Sequence, residues 1–330
     1  MHLELLEQTP SNFWTGRVDH KTDRTAFRFH QVVSCISPAE LASLETQKKR
    51  ICIIGFSCDE GVRRNQGRTG AAEGPFRIRK ELAKLPANFT ESSELLDVGT
   101  ICCRKKDMEK AQDELSLLVT FVLNHSCFPL VLGGGHEIVY GHYNGVKKFA
   151  LQSEKNPPLL INFDAHFDLR PTNEFGTSGT SFFQIAQDHK SKNQPFEYIC
   201  LGLQTYGNTK SLYNRADELA VQYYNAKDIT ENSKAHILSQ IISSLEEHKS
   251  AYLTLDFDVL NSAYAPGVSS PQPFGISPEM MIYFLKPLLR TGKIKSLDIA
   301  EVAPRYDDDN QTSKLAAIVI YSIINVLTGA

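Results

Sequence analysis

The sequence predicts an α/β protein, a three-layer αβα sandwich around a mostly parallel β-sheet. Three observations carry that expectation. Short runs rich in Ile, Leu and Val recur along the 330 residues, amphipathic stretches of helical spacing separate them, and several runs open directly into polar loops. Runs apolar throughout, rather than alternating, read as strands buried on both faces.

The runs are ICIIGF (51–56), FPLVLGG (128–134), PLLINFD (158–164), YICLGL (198–203), AYLTLDFD (251–258) and IKSLDIAEV (294–302). Between them, MEKAQDELSLLVTFVLNHS, KAHILSQIISSLEEHKS and SPEMMIYFLKPLLRTG carry apolar residues at helical spacing with polar faces opposite. No internal repeat, low-complexity tract or linker divides the chain. One domain over residues 1–330 is expected, with the less regular residues 1–50 as a peripheral layer or an interface.

Composition narrows the function. With 42% hydrophobic and 22% charged residues the chain can bury a large core, and a net charge of -3 gives no bulk attraction to nucleic acid or anionic membranes. A small-molecule partner is expected instead. The opening MHLELLEQTPSNFW lacks the basic and apolar regions of a signal peptide, and no apolar run approaches the ~20 residues that span a bilayer. Seven cysteines, odd in number and without a CxxC pair, favour a reducing, cytoplasmic compartment. Cys58 falls in a loop-like context and is either a reactive thiol or a small buried hydrophobe.

In a parallel sheet, ligands bind beyond the carboxyl ends of the strands, and the polar clusters fall there. VLGGGHEIVYGH delivers His136 after a strand and three glycines. INFDAHFD delivers Asp164, His166 and Asp168 at alternate positions, and LTLDFDVL delivers Asp256 and Asp258. Alone, such a histidine is usually structural and such a DxD pair caps a turn. Together, four carboxylates crowded without a cation would repel one another, a cost that divalent metal removes. Two imidazoles and four carboxylates without cysteine suit hard to borderline ions, Mn²⁺ first, with Zn²⁺, Co²⁺, Ni²⁺ or Fe²⁺ as alternatives.

GGGHE, DAHFD, LDFD followed by APGVSSPQPFGIS, and DIAEV resemble, in this order, the signature blocks of the ureohydrolase family of arginase and agmatinase. The wider match, from FWTGRVD through DEGVRRNQGRTGAAEGPFRIR to EVAPRYDDDNQTSKLAA, is similar to the formimidoylglutamase group of histidine degradation and covers nearly the whole chain. The resemblance implies an arginase-like fold and two Mn²⁺ per subunit, one held by His136, Asp164, Asp168 and Asp256, the other by Asp164, His166, Asp256 and Asp258. A hydroxide shared by the ions would attack an amidine or guanidinium carbon. Asp168 would relay the proton to the leaving amine, and Glu301 would pair with the cationic nitrogens. The family commonly assembles, so a homo-oligomer is compatible with the resemblance.

Substrate choice should lie in the residues around this centre. Arg170 directly follows the metal block, and the loop LRPTNEFGTSGTSFFQ offers Ser178, Gly179 and Thr180. An arginine there suits a carboxylate rather than a cationic tail. Arg63, Arg64 and Arg68 in GVRRNQGR extend the basic character, unless they pair with Asp59 and Glu60. His142 is a proton shuttle, a partner supporting the metal ligands from behind, or a core histidine. Asn261 and Ala303 stand where the family often has Asp and Asn. The expected reaction is hydrolysis of N-formimidoyl-L-glutamate to L-glutamate and formamide. The rivals are a guanidino-compound ureohydrolase such as agmatinase or guanidinobutyrase, a mononuclear zinc deacetylase of the same architecture, and a catalytically silent relative.

Overall fold

Each of the six apolar runs forms a strand in the computed structural model, which describes residues 3–45 and 48–330. Among the described residues the strands are β1 (Leu6–Glu7), β2 (Val33–Cys35), β3 (Lys49–Ser57), β4 (Ser93–Cys102), β5 (Cys127–Leu132), β6 (Leu159–Phe163), β7 (Tyr198–Leu203), β8 (Gln222–Asn225), β9 (Ala251–Asp256) and β10 (Ile294–Ala300). They join one sheet in the order β1-β4-β3-β5-β10-β9-β6-β7-β8, with β2 also on β4. All neighbours are parallel except β1 and β4.

Alternate strand residues feed two separate cores, as the two-residue period of a strand requires. Ile51, Ile53, Ile161 and Phe163 pack with the helices Gly74–Leu82, Lys234–Glu246, Pro278–Arg290 and Gln311–Thr328. Cys52, Ile54, Val131 and Leu160 pack with Met108–Asn124, Ile138–Ala150, Ser181–Ser191 and Lys210–Glu218. The αβα layering follows from that division. Start signals written in the sequence set two of these helices: Asp107 accepts from the Lys110 amide at 3.1 Å, and Ser277 from the Met280 amide at 3.2 Å with Pro278 in the first turn. The helix Gln311–Thr328 is long and apolar enough to cross a membrane by length and composition, an exception to the expectation that no run comes near that limit. In the fold its Ala316, Ala317, Ile320, Ile323 and Ile324 are core residues.

The N-terminal segment is less peripheral than its irregular sequence suggests. Strands β1 and β2 cover the outer edge of β4, which would otherwise present unpaired backbone groups. Behind that edge, Asp97 accepts from Thr9 Oγ1 at 2.9 Å, Trp14 Nε1 at 2.7 Å, Arg79 Nε at 2.7 Å and Arg79 Nη2 at 3.0 Å. Both members of the Arg79–Asp97 pair are fully buried. Removing one partner strands the other's charge, so Arg79→Met should destabilise the protein by about 3–5 kcal/mol in chemical denaturation. A loss under about 1 kcal/mol would mean that Thr9 and Trp14 suffice to hold Asp97.

The order of the central strands positions the site. Consecutive in sequence, β5 and β6 are separated in the sheet by β10 and β9; β6 leads one way across the sheet to β7 while its neighbour β9 leads the opposite way to β10, so the connections diverge at this point. A crevice opens at the carboxyl ends of these four neighbours. His136, Glu301, the Asp256–Asp258 pair and the Asp164–Asp168 segment lie at or just past those ends.

Candidate active site

The Gly133–Gly135 turn brings His136 into the crevice. A Cβ on Gly134 would sit 1.8 Å from the Cys58 carbonyl oxygen, so only glycine permits this approach. The turn is tied on both sides: the Gly135 amide donates to Cys58 O at 2.8 Å, and the Glu301 amide to Gly134 O at 2.8 Å. Cys58 is itself buried, with a thiol pushed up by the Cys103 thiol beside it and by burial, which favours the packing role over the reactive one.

Six side chains converge beyond the turn. His136 Nδ1 lies 2.8 Å from Asp168 Oδ2, 3.1 Å from Asp164 Oδ2 and 3.4 Å from Asp256 Oδ2. His166 Nδ1 lies 3.0 Å from Asp258 Oδ2 and 3.5 Å from Asp164 Oδ1. Potential ligand atoms of His136, Asp164 and Asp168 all fall within 4.8 Å of one another, and so do those of Asp164, His166 and Asp258. Asp164 is common to both groups, the arrangement expected of a bridging carboxylate. Asp168 and Glu301 hold left-handed backbone conformations, φ 48° and 65°, which cost non-glycine residues about 1–3 kcal/mol and cluster at functional sites.

Hydrogen bonding fixes which nitrogen of His136 faces the carboxylates. The carboxylate of Asp298 only accepts, so Thr254 Oγ1 donates to it at 2.6 Å. Thr254 Oγ1 therefore accepts from His136 Nε2 at 3.1 Å, which leaves Nδ1 as the nitrogen turned toward three carboxylates. Between that nitrogen and the carboxylates sits either a proton or, when metal is bound, a cation. Asp298 also accepts from Tyr252 at 2.5 Å and contacts His142 Nδ1 at 2.7 Å, whose Nε2 meets Ser296 Oγ at 2.5 Å. His142 is thus a fully buried support behind the site rather than a shuttle within it. The sequence reading missed Thr254 and Asp298, although both lie in quoted strands.

The electrostatics point the same way. Burial pushes Asp168 up to about 6, aided by the Asp164 charge. Burial and neighbouring carboxylates also raise Asp256, Asp258 and Glu301. Burial opposes the charged forms of Asp164 and both imidazoles, yet mutual contact outweighs it, holding Asp164 well below the carboxylate range and His136 and His166 well above the histidine range. Protons on the imidazoles partly compensate the crowded acids, and divalent cations would do so with the geometry above.

Residues 49–325 match the model of the arginase family. The chain belongs to the arginase family. Over 319 residues, 96% of this arginase-family chain and 94% of the relative, it is 42% identical to formimidoylglutamase from Clostridium tetani. Its fold is similar to that of formimidoylglutamase from Bacillus subtilis, with a TM-score of 0.79 at 22% identity over 95% of this chain and 96% of the other. It is also similar to Trypanosoma cruzi formiminoglutamase with Mn²⁺, with a TM-score of 0.75 at 24% identity over 89% and 98% of the two chains.

The arginase-family site opens into a cavity of ≈ 320 Å³ whose lining includes His136, His166, Asp168, Asp256, Asp258 and Glu301, and Arg170, Ser178 and Arg68 on its walls. Gly179 packs under the Arg170 side chain, where a Cβ would come within 3.0 Å of Arg170 Cδ, and its carbonyl accepts from the Arg170 amide at 3.0 Å. The Thr180 hydroxyl is used inside the loop, on Thr177 O and Gln184 Oε1. Two arginines expected at the substrate have carboxylate partners within the protein. Arg63 pairs with Glu60 and faces a different cavity, and Arg64 is held by Glu60 and Glu109. Arginines three and four residues after a glutamate on a helix turn meet it before they meet a substrate.

Proposed function

We propose that this chain hydrolyses N-formimidoyl-L-glutamate to L-glutamate and formamide in L-histidine degradation, using two Mn²⁺ per subunit. The observation that carries the reading is the pairing of two ligand groups sharing Asp164 with Arg170, a guanidinium on the same cavity wall that has no carboxylate partner among the described residues. His136, Asp164, Asp168 and Asp256 would hold one ion, and Asp164, His166, Asp256 and Asp258 the other. Bound there, the two cations supply a nucleophilic hydroxide near neutral pH.

The chain's own groups do the rest. Asp168, beside the nucleophile's position, accepts the proton shed by the attacking water and returns it to the departing amine nitrogen. Glu301 Oε1 is occupied by the His136 amide at 2.8 Å, whereas its buried Oε2 has no partner among the described residues and can accept from an amidine N–H. Arg170 takes a substrate carboxylate through paired hydrogen bonds.

A substrate panel read for formamide and urea, before and after added Mn²⁺, tests the reading. Urea from agmatine without turnover of formimidoylglutamate would overturn it, and ammonia with formylglutamate would move the cleavage to the other C–N bond. Arg170→Ala should raise KM for formimidoylglutamate ~10- to 100-fold with a smaller change in kcat. An unchanged KM removes Arg170 from the pocket.

The same reading takes residues 1–330 as one catalytic domain, with 1–50 as its N-terminal segment, acting in the cytoplasm and compatible with a homo-oligomer. A sheet that joins β1 to β10 supports the first part, and light scattering on the purified protein tests the last.

A further inference from the structure

We infer that Arg215 selects for a second carboxylate on the substrate, the one ending the glutamate side chain; this rests on the reading that the substrate is an N-formimidoyl amino acid. Beside the metal-ligand cavity lies a larger one of ≈ 650 Å³, and the two share Asn65, Gln66, Arg170 and Leu212 in their walls. The amidine carbon must reach the carboxylate cluster, and the α-carboxylate is one carbon removed from the amidine nitrogen. That places the α-carboxylate at the junction, beside Arg170. The side-chain carboxylate, two methylenes further on, extends into the larger cavity.

Three guanidinium groups line that cavity against one carboxylate, Glu174. Arg64 is already matched by Glu60 and Glu109. Arg215 forms no ion pair among the described residues. Its Nη1 donates to Leu169 O at 2.6 Å, and its guanidinium carbon lies 5.1 Å from the centre of the Phe183 ring. These contacts fix the head group without neutralising it. Leu169 stands between Asp168 and Arg170, so Arg215 is tied to the loop that carries both the ligand and the first arginine. A fixed, partly buried and uncompensated guanidinium is a preorganised carboxylate receptor, and the hydroxyls of Thr209 and Ser211, which bond each other at 2.8 Å in the same walls, leave one O–H as a further donor.

The test compares N-formimidoyl-L-glutamate with N-formimidoyl-L-glutamine, which keeps the shape and loses the distal charge. Wild-type enzyme should prefer the glutamate compound in kcat/KM. Arg215→Ala should raise KM for that compound ~10- to 100-fold with kcat little changed, and leave KM for the glutamine compound as it was, so that discrimination collapses. Arg215→Lys should restore part of it. Manganese content and the unfolding midpoint of each variant establish that the fold is intact. Equal losses on both compounds, an unchanged KM for the glutamate compound, or a wild type indifferent between the two would overturn the assignment of Arg215 alone. A wild type inert on both compounds and active on agmatine would overturn the proposed reaction, and this inference with it.

Discussion

Asp164→Ala is expected to lower kcat/KM for formimidoylglutamate by at least ~10⁴-fold, a loss of transition-state stabilisation of about 5.5 kcal/mol. The residue belongs to both clusters of potential ligand atoms and, with Asp256, would be shared by the two ions, so its removal weakens both sites at once. Neighbouring groups cannot substitute for it. Asp164 Oδ1 accepts the His166 amide at 2.7 Å and Oδ2 the Asn162 amide nitrogen at 3.1 Å, so the carboxylate also holds the loop that aims His166. Elemental analysis after dialysis should find less Mn²⁺ per chain than in wild type. Replacement of one outer ligand, as in Asp258→Ala, should leave more metal bound, because only the group with His166 loses a member. Full activity of Asp258→Ala with a single bound zinc would favour the mononuclear deacetylase architecture instead.

The residues show why the site was easier to read than its surroundings. Strand runs buried on both faces announce themselves by composition, and the six that did so include all four that carry the central cluster. Strand β4 was passed over because Asp97 interrupts its apolar run, and only the fold reveals that Arg79 neutralises that aspartate. Ligands repeat at short, readable spacings such as Asp164-His166-Asp168. Their supports do not: Asp298 lies 156 residues from His142 and 44 from Thr254, and the hydrogen-bond chain exists only once β9 and β10 are adjacent. The basic residues err in both directions. By sequence Arg63 fits either a substrate or an ion pair with Asp59 or Glu60, and side-chain geometry decides for Glu60, while Arg215 lies on a helix remote in sequence from the loop it joins. The left-handed backbone of Asp168 and Glu301 has no sequence signature at all, since neither position is glycine.

That strain gives Glu301 its place in the second prediction. The residue follows β10 directly, and its left-handed turn points the carboxylate back over His136, one oxygen on the His136 amide and the other unpartnered in the buried cavity. Burial, reinforced by Glu137, pushes its carboxyl well above the usual range, a cost that a cationic amidine beside it would repay. Glu301→Gln keeps a carbonyl oxygen for the His136 amide but can place an NH₂ donor where amidine N–H groups must be accepted. The reacting carbon then loses its anchor over the nucleophile, and kcat/KM should fall ~10²- to 10³-fold with manganese content unchanged. Glu301→Ala removes the His136 contact as well, so it should lose metal in addition to activity. The contrast between the two variants separates orientation of the substrate from support of the ligand. Near-wild-type kcat/KM in manganese-replete Glu301→Gln would show that the unpartnered oxygen does not meet the substrate, and the amidine would then have to be oriented by Arg170 and the distal arginine alone.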